Sequence, residues 1–172
     1  MRVCYFDCFA GAAGDMLLGA LLDAGADESV VTNAVASLGI DAWSLAVGVT
    51  TKRGFRATQV TVGAPEQKTN RNLSDIEALL DAAELDDRVR ELSRRAFRTL
   101  GRAEARVHGV DIGDVHFHEV GALDAIVDVV GTCAAFVDLG VERAVAGPLA
   151  IGSGTAETDH GTIPIPAPAV TE

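Results

Sequence analysis

The stretch from Gly113 to Asp128, GDVHFHEVGALDAIVD, holds two histidines two residues apart, a glutamate directly after them, and two aspartates four apart. In an extended segment alternate side chains share a side, so His116 and His118 can face one point while Phe117 turns into a core. Glu119 joins them only if the chain turns at Val120-Gly121. Imidazole nitrogen together with carboxylate oxygen suits nickel, zinc or iron better than magnesium. Asp124 and Asp128 follow one turn apart on the outer face of a predicted helix. A carboxylate in the first turn of a helix gains about 0.3–1 kcal/mol from the helix dipole when exposed. That accounts for Asp124 but not for Asp128, which lies past the first turn. A strand with partly exposed histidines, followed by an ordinary acidic helix, is the competing reading of the same spacing.

A second chemical stretch lies near the start, FDCFAGAAGDM. Gly11 and Gly14 fall between a predicted strand and a predicted helix, where backbone N–H groups can cradle an anion. The stretch lacks the Lys-Ser/Thr of a P-loop and the spacing of a dinucleotide fingerprint. A phosphate there would also meet Asp15, which favours a metal-bridged or neutral ligand. Asp7 and Asp15 flank the loop as metal-binding or hydrogen-bonding carboxylates. His108 ends a long predicted helix, where capping is the plain explanation, and His160 follows a glycine-rich loop. Cys4 and Cys8 do not form a redox CxxC pair. Cys8 is a candidate soft donor beside Asp7, whereas Cys4 and Cys133 read as small core residues. Ser153 lacks the strand-to-helix setting of a nucleophile elbow, so no catalytic triad is legible.

The elements that must position these groups follow from periodicity. RVCYF, residues 2–6, reads as a buried strand, and DMLLGALLDA, residues 15–24, as a helix apolar on nearly all sides. Asp27 caps a helix over 28–38 that Gly39 ends. WSLAVGVTT and FRATQVTV, joined by KRG, predict a hairpin over about 43–62 with Lys52 and Arg53 at its tip. Residues 63–72 read as a polar loop, followed by helices over 73–82 and 86–107. The second has an apolar stripe of Val89, Leu92, Ala96, Leu100, Ala103 and Val107. A helix over 122–139, a short strand in RAVAGPLAIG and an extended IPIPAPA complete the order, because residues before proline avoid the α region. The expected fold is α/β (mixed α+β), a mixed sheet with helices packed on it.

Composition bounds the function classes. The 172 residues are 48% hydrophobic, enough for one core, and the net charge is −11. That charge argues against nucleic acid or an anionic membrane as partner, and no apolar run has the length of a membrane span. Three cysteines are no disulfide framework, and the first residues lack a signal-peptide pattern, so the expected location is cytoplasmic. Seven of the fourteen Lys and Arg fall between Arg88 and Arg106. Arg90, Arg94, Arg98, Arg102 and Arg106 form a four-residue row, either a solvated helix face or a contact for an anionic ligand or partner domain.

Taken in order, FDCFAGAAGDM, AEARVHG, DVHFHEVGALDAIVDVVG and HGTIPIPAPA closely resemble the N-terminal region of the LarC family, over residues 3 to 169. These are nickel-insertion proteins that make the nickel-pincer nucleotide cofactor of lactate racemase and related enzymes. The resemblance implies a chelatase-like, lyase-class activity: nickel(II) goes into pyridinium-3,5-bisthiocarboxylic acid mononucleotide at the expense of CTP. Residues 1–172 would then be a single domain, the N-terminal module of a longer protein. CTP, with a divalent metal, would bind a C-terminal module that this chain lacks. An apo-racemase recipient and homo-oligomerisation stay open. Carried over by motif, the implied catalytic residues are Asp7, Asp15, Glu119 and Asp124. The implied metal ligands are His116, His118, Glu119, Asp128 and His160, and the implied substrate-binding residues Gly11, Gly14, Arg106 and His108. Many members carry a histidine-rich stretch where this chain has APEQKTNRNLSDI, so nickel storage in that loop is not expected. The same residues also admit a non-catalytic nickel carrier or scaffold, or a metal-dependent phosphoesterase.

Overall fold

A computed structural model of the chain describes residues 1–64, 71–117, 123–158 and 161–172. The mixed α/β class is observed, with the strands distributed over four two-stranded sheets. Strand β1 (Val3–Phe6) leads into helices α1 (Gly14–Asp23) and α2 (Glu28–Ala36), then the hairpin of β2 (Ser44–Lys52) and β3 (Phe55–Gly63). Strand β4 (Arg71–Asn72) precedes α3 (Leu73–Ala82) and the long α4 (Asp87–His108). After a 3₁₀ turn at Ile112–Asp114 come β5 (His116–Phe117), α5 (Leu123–Asp138), β6 (Arg143–Ala146), β7 (Gly154–Thr158), β8 (Gly161–Ile165) and the short α6 (Pro168–Thr171).

Local chemistry explains the boundaries. Asp27 accepts the Ser29 amide at the start of α2, and Asn72 and Asp75 form a reciprocal capping box on α3. Gly109, with φ of 65°, ends α4 in the left-handed conformation. At the hairpin tip both Arg53 and Gly54 have positive φ, as a two-residue primed turn requires.

The centre is α5. Leu123, Ile126, Val127, Val130 and Ala134 are buried on it, and α1, α2 and α4 pack around it. Helix α1 also lies on β3, so closely that a Cβ on Gly19 would stand 2.8 Å from the Thr58 carbonyl oxygen. Among the described residues no helix is long and apolar enough to cross a membrane.

Three expectations change. Among the described residues strand β1 pairs in parallel with β6 alone, and its outer face, with Val3 and Tyr5, is exposed. On α1 only one side is covered, leaving Met16 exposed. On α4 the core face is Val89, Ser93, Phe97 and Gly101. The apolar stripe expected in the core, from Leu92 to Ala103, instead lines a groove. Helix α4 has two small-to-apolar stripes, and Ser93 and Gly101 hide the one that packs tightest, because neither registers as hydrophobic.

Candidate functional site

Asp128 lies on α5 one turn beyond Asp124, facing the start of α1. Gly14 makes this approach possible: a Cβ there would fall 2.4 Å from Asp128 Oδ2 and 2.6 Å from its Cβ. The carboxyl is half-buried. Its Oδ1 is buried with no hydrogen-bond partner among the described residues. Burial, then the charges of Asp15 and Asp124, push its pKa up from 3.8 to about 6. A half-buried carboxylate beside two others, with no donor on one oxygen among the described residues, suits a proton or a cation.

Asp15 and Asp124 are exposed and each sits in the first turn of its helix. Asp15 Oδ1 accepts the Met16 amide at 2.8 Å, and Asp124 Oδ1 the Ala125 amide at 2.8 Å. Both act on Asp128 through charge rather than as a closed shell. Among the described residues no group of three or more His, Cys, Asp or Glu side chains is arranged to hold an ion.

The other candidates are placed as follows. Asp7 is exposed in the loop after β1. That loop is tied to residues 147–150 through Phe6 and Cys8 carbonyls, which accept the Gly147 amide at 3.0 Å and the Ala150 amide at 3.2 Å. Gly11, with φ of 94°, closes the loop by donating to the Cys8 carbonyl. His116 is exposed on β5, opposite Asn72 of β4, while Phe117 is buried, the alternation expected of an extended segment. His118, Glu119 and His160 lie outside the described residues. His108 Nε2 stands 3.4 Å from Glu104 Oε2 at the end of α4, and Arg106 pairs with Glu172 at 3.4 Å. Cys8 is buried. Burial pushes the Cys4 and Cys133 thiols up, so both are protonated near neutral pH.

The arginines of α4 divide by face. Arg90 donates to the carbonyls of Leu80, Ala83 and Leu85 at 3.1–3.2 Å. Arg94 pairs with Asp81, and Arg98 with Glu77. Three of the row's five arginines therefore tie α4 to α3, with Arg98 still exposed. Arg102, already in that row, lines the groove together with Arg88 and Arg95, which sequence reasoning did not single out and which share its seven-residue spacing. That repeat was the available signal.

A family model described as nickel insertion protein matches residues 4–172. The pyridinium-3,5-bisthiocarboxylic acid mononucleotide nickel insertion protein of Desulfitobacterium hafniense (strain DSM 10664 / DCB-2) is 46% identical over 172 residues, covering 100% of this chain and 43% of that protein. The putative nickel insertion protein of Geobacter sulfurreducens is 48% identical over 174 residues, covering 100% of this chain and 45% of its own length. That of Roseiflexus castenholzii is 47% identical over 168 residues, covering 98% and 42%. The chain thus spans less than half the length of these curated relatives. No solved structure matches the chain with significance.

Proposed function

The chain belongs to the nickel insertion protein family, and from that premise we propose that it holds nickel(II) for insertion into pyridinium-3,5-bisthiocarboxylic acid mononucleotide. The observation that carries this reading is the buried, unpartnered Oδ1 of Asp128, with Asp15 and Asp124 adding negative charge. Nickel balances the charge of the Asp128 carboxylate, which is otherwise ionised and unpartnered near neutrality, and His116 supplies nitrogen from β5. His118, Glu119 and His160 are the further donors proposed from their motifs.

Such a site suits hand-over. Oxygen and imidazole donors hold nickel less firmly than sulfur, so the thiocarboxylate sulfurs of the substrate displace them in turn. As each carboxylate leaves the metal, its charge is again unbalanced, which limits how firmly the emptied site retains the ion. Residues 1–172 act in this scheme as the metal-holding module of a longer protein, and CTP with its divalent metal is used on the remainder of that protein.

The test is calorimetric titration with nickel near neutral pH in a non-coordinating buffer. Wild type binds, and Asp128→Asn and His116→Ala each bind at least about tenfold more weakly, the loss of one charged or ligating contact. Wild-type affinity in Asp128→Asn would remove the reading.

A further inference from the structure

The groove beside α4 has a volume of about 1090 Å³ and runs between α4 and α5, with β6 and α6 at its edges. Its size is slightly above the roughly 300–1,000 Å³ common for small-molecule clefts. The floor is apolar, formed by Leu92, Ala96, Leu100 and Ala103 of α4 with Phe136 of α5.

Four arginines stand on this wall, and two are already engaged. Arg88 donates to the Val141 carbonyl and lies over the Phe136 ring, 6.0 Å from its centroid. Arg106 pairs with Glu172. The two glutamates lining the groove are engaged as well, since Glu142 pairs with the amino group of Met1 at 3.3 Å. The guanidinium groups of Arg95 and Arg102 are left with no hydrogen bond or ion pair among the described residues. They are two turns apart on one face, about 10 Å along the axis, within reach of a single anion held between their side chains. Two open guanidinium groups above an apolar floor, on a chain of net charge −11, make a local site for a ligand with an anionic end and a flat apolar body.

Helix α5 links this groove to the acidic site. Asp124, Asp128, Thr132 and Phe136 follow one another in four-residue steps, the first two at the carboxylate cluster and the last two on the groove. Each step advances about 6 Å with a drift of about 40°. Thr132 and Phe136 thus place the groove about one to two turns of α5 beyond Asp128.

We propose that Arg95 and Arg102 bind the phosphate of a pyridinium mononucleotide whose ring lies on the floor of the α4–α5 groove. This rests on the reading of the chain as one that loads nickel into such a mononucleotide. Guanidinium forks match phosphate oxygens in pairs, and the anionic group supplies the counter-charge that the protein itself withholds from these two side chains.

The test uses nicotinic acid mononucleotide, a pyridinium mononucleotide without sulfur, and nicotinic acid riboside, the same molecule without phosphate. Calorimetry at constant ionic strength compares wild type, Arg95→Gln, Arg102→Gln, the double variant, and Arg56→Gln as a charge control on the far hairpin. Wild type and Arg56→Gln are expected to bind the mononucleotide about tenfold or more above the riboside. Each single groove variant loses part of that ratio, and the double variant binds both molecules alike. A ratio that survives in the double variant, or no preference for the mononucleotide in wild type, overturns the assignment. Nickel titration of these variants and of Asp128→Asn separates the two claims. Loss of the phosphate preference in the double variant, with nickel affinity intact in Asp128→Asn, would refute the metal site and keep the groove. The reverse result would refute the groove alone.

Discussion

Asp128→Asn should make the metal-free protein more stable while weakening its hold on nickel. In the apo-protein the Asp128 carboxyl is pushed from 3.8 to about 6 by burial and by Asp15 and Asp124. At about 1.4 kcal/mol per pH unit, ionising it near neutral pH would cost about 3 kcal/mol. The group is half-exposed, so screening reduces this to about 1–1.5 kcal/mol. The sign follows from proton linkage. Between about pH 4 and 6 the folded state keeps a proton that the unfolded state has lost, so raising the pH through this window destabilises the native protein. Below that window the penalty is absent. Replacing the carboxyl by an amide removes it at all pH values and keeps the shape that Gly14 accommodates. Denaturant unfolding of chelator-treated protein should show the variant about 1 kcal/mol more stable near pH 7, or about 2–4 °C higher in Tm. The gap should narrow as the pH falls towards 4. A variant less stable than wild type near pH 7, or a gap independent of pH, would refute the reasoning about Asp128.

Related expectations follow from the same contacts. Nickel affinity of wild type should fall as the pH drops through about 6, because protons then compete for the Asp128 carboxyl, and titrations across pH read this directly. Gly14→Ala should cost about 1–3 kcal/mol of stability by overpacking, since its Cβ would meet Asp128 Oδ2 at 2.4 Å, and should weaken nickel binding as well. Arg90→Ala should destabilise by about 1.5–3 kcal/mol in denaturant unfolding, because three carbonyls at and just beyond the end of α3 each lose a donor.

The element order and most helix boundaries were legible in the sequence, because the signals are local. The Asp27 and Asn72 caps and the Gly109 stop need only their neighbours. Apart from the β2–β3 hairpin, which its local turn made legible, the strand pairings were not. Strand β6 joins β1 across the whole chain, and β7 pairs with β8 in a segment that read as a loop and an extended proline stretch. The buried face of α4 was misread for a physical reason. Its tightest positions, Ser93 and Gly101, are small rather than apolar, whereas the larger apolar stripe borders the groove. In the site, Asp128 stood out early as the carboxylate that helix electrostatics does not explain. What the sequence could not supply was its neighbour. Gly14 had been read as part of an anion cradle, and only the packing of α1 on α5 brings it against the Asp128 carboxyl.

The central claim is that nickel is held at Asp128, and nickel-edge anomalous diffraction tests it most directly. In crystals grown near neutral pH with stoichiometric nickel, the account predicts an anomalous peak within bonding distance of the Asp128 carboxylate, beside Gly14. A nickel peak elsewhere, with Asp128 still unpartnered in the same crystals, would contradict it.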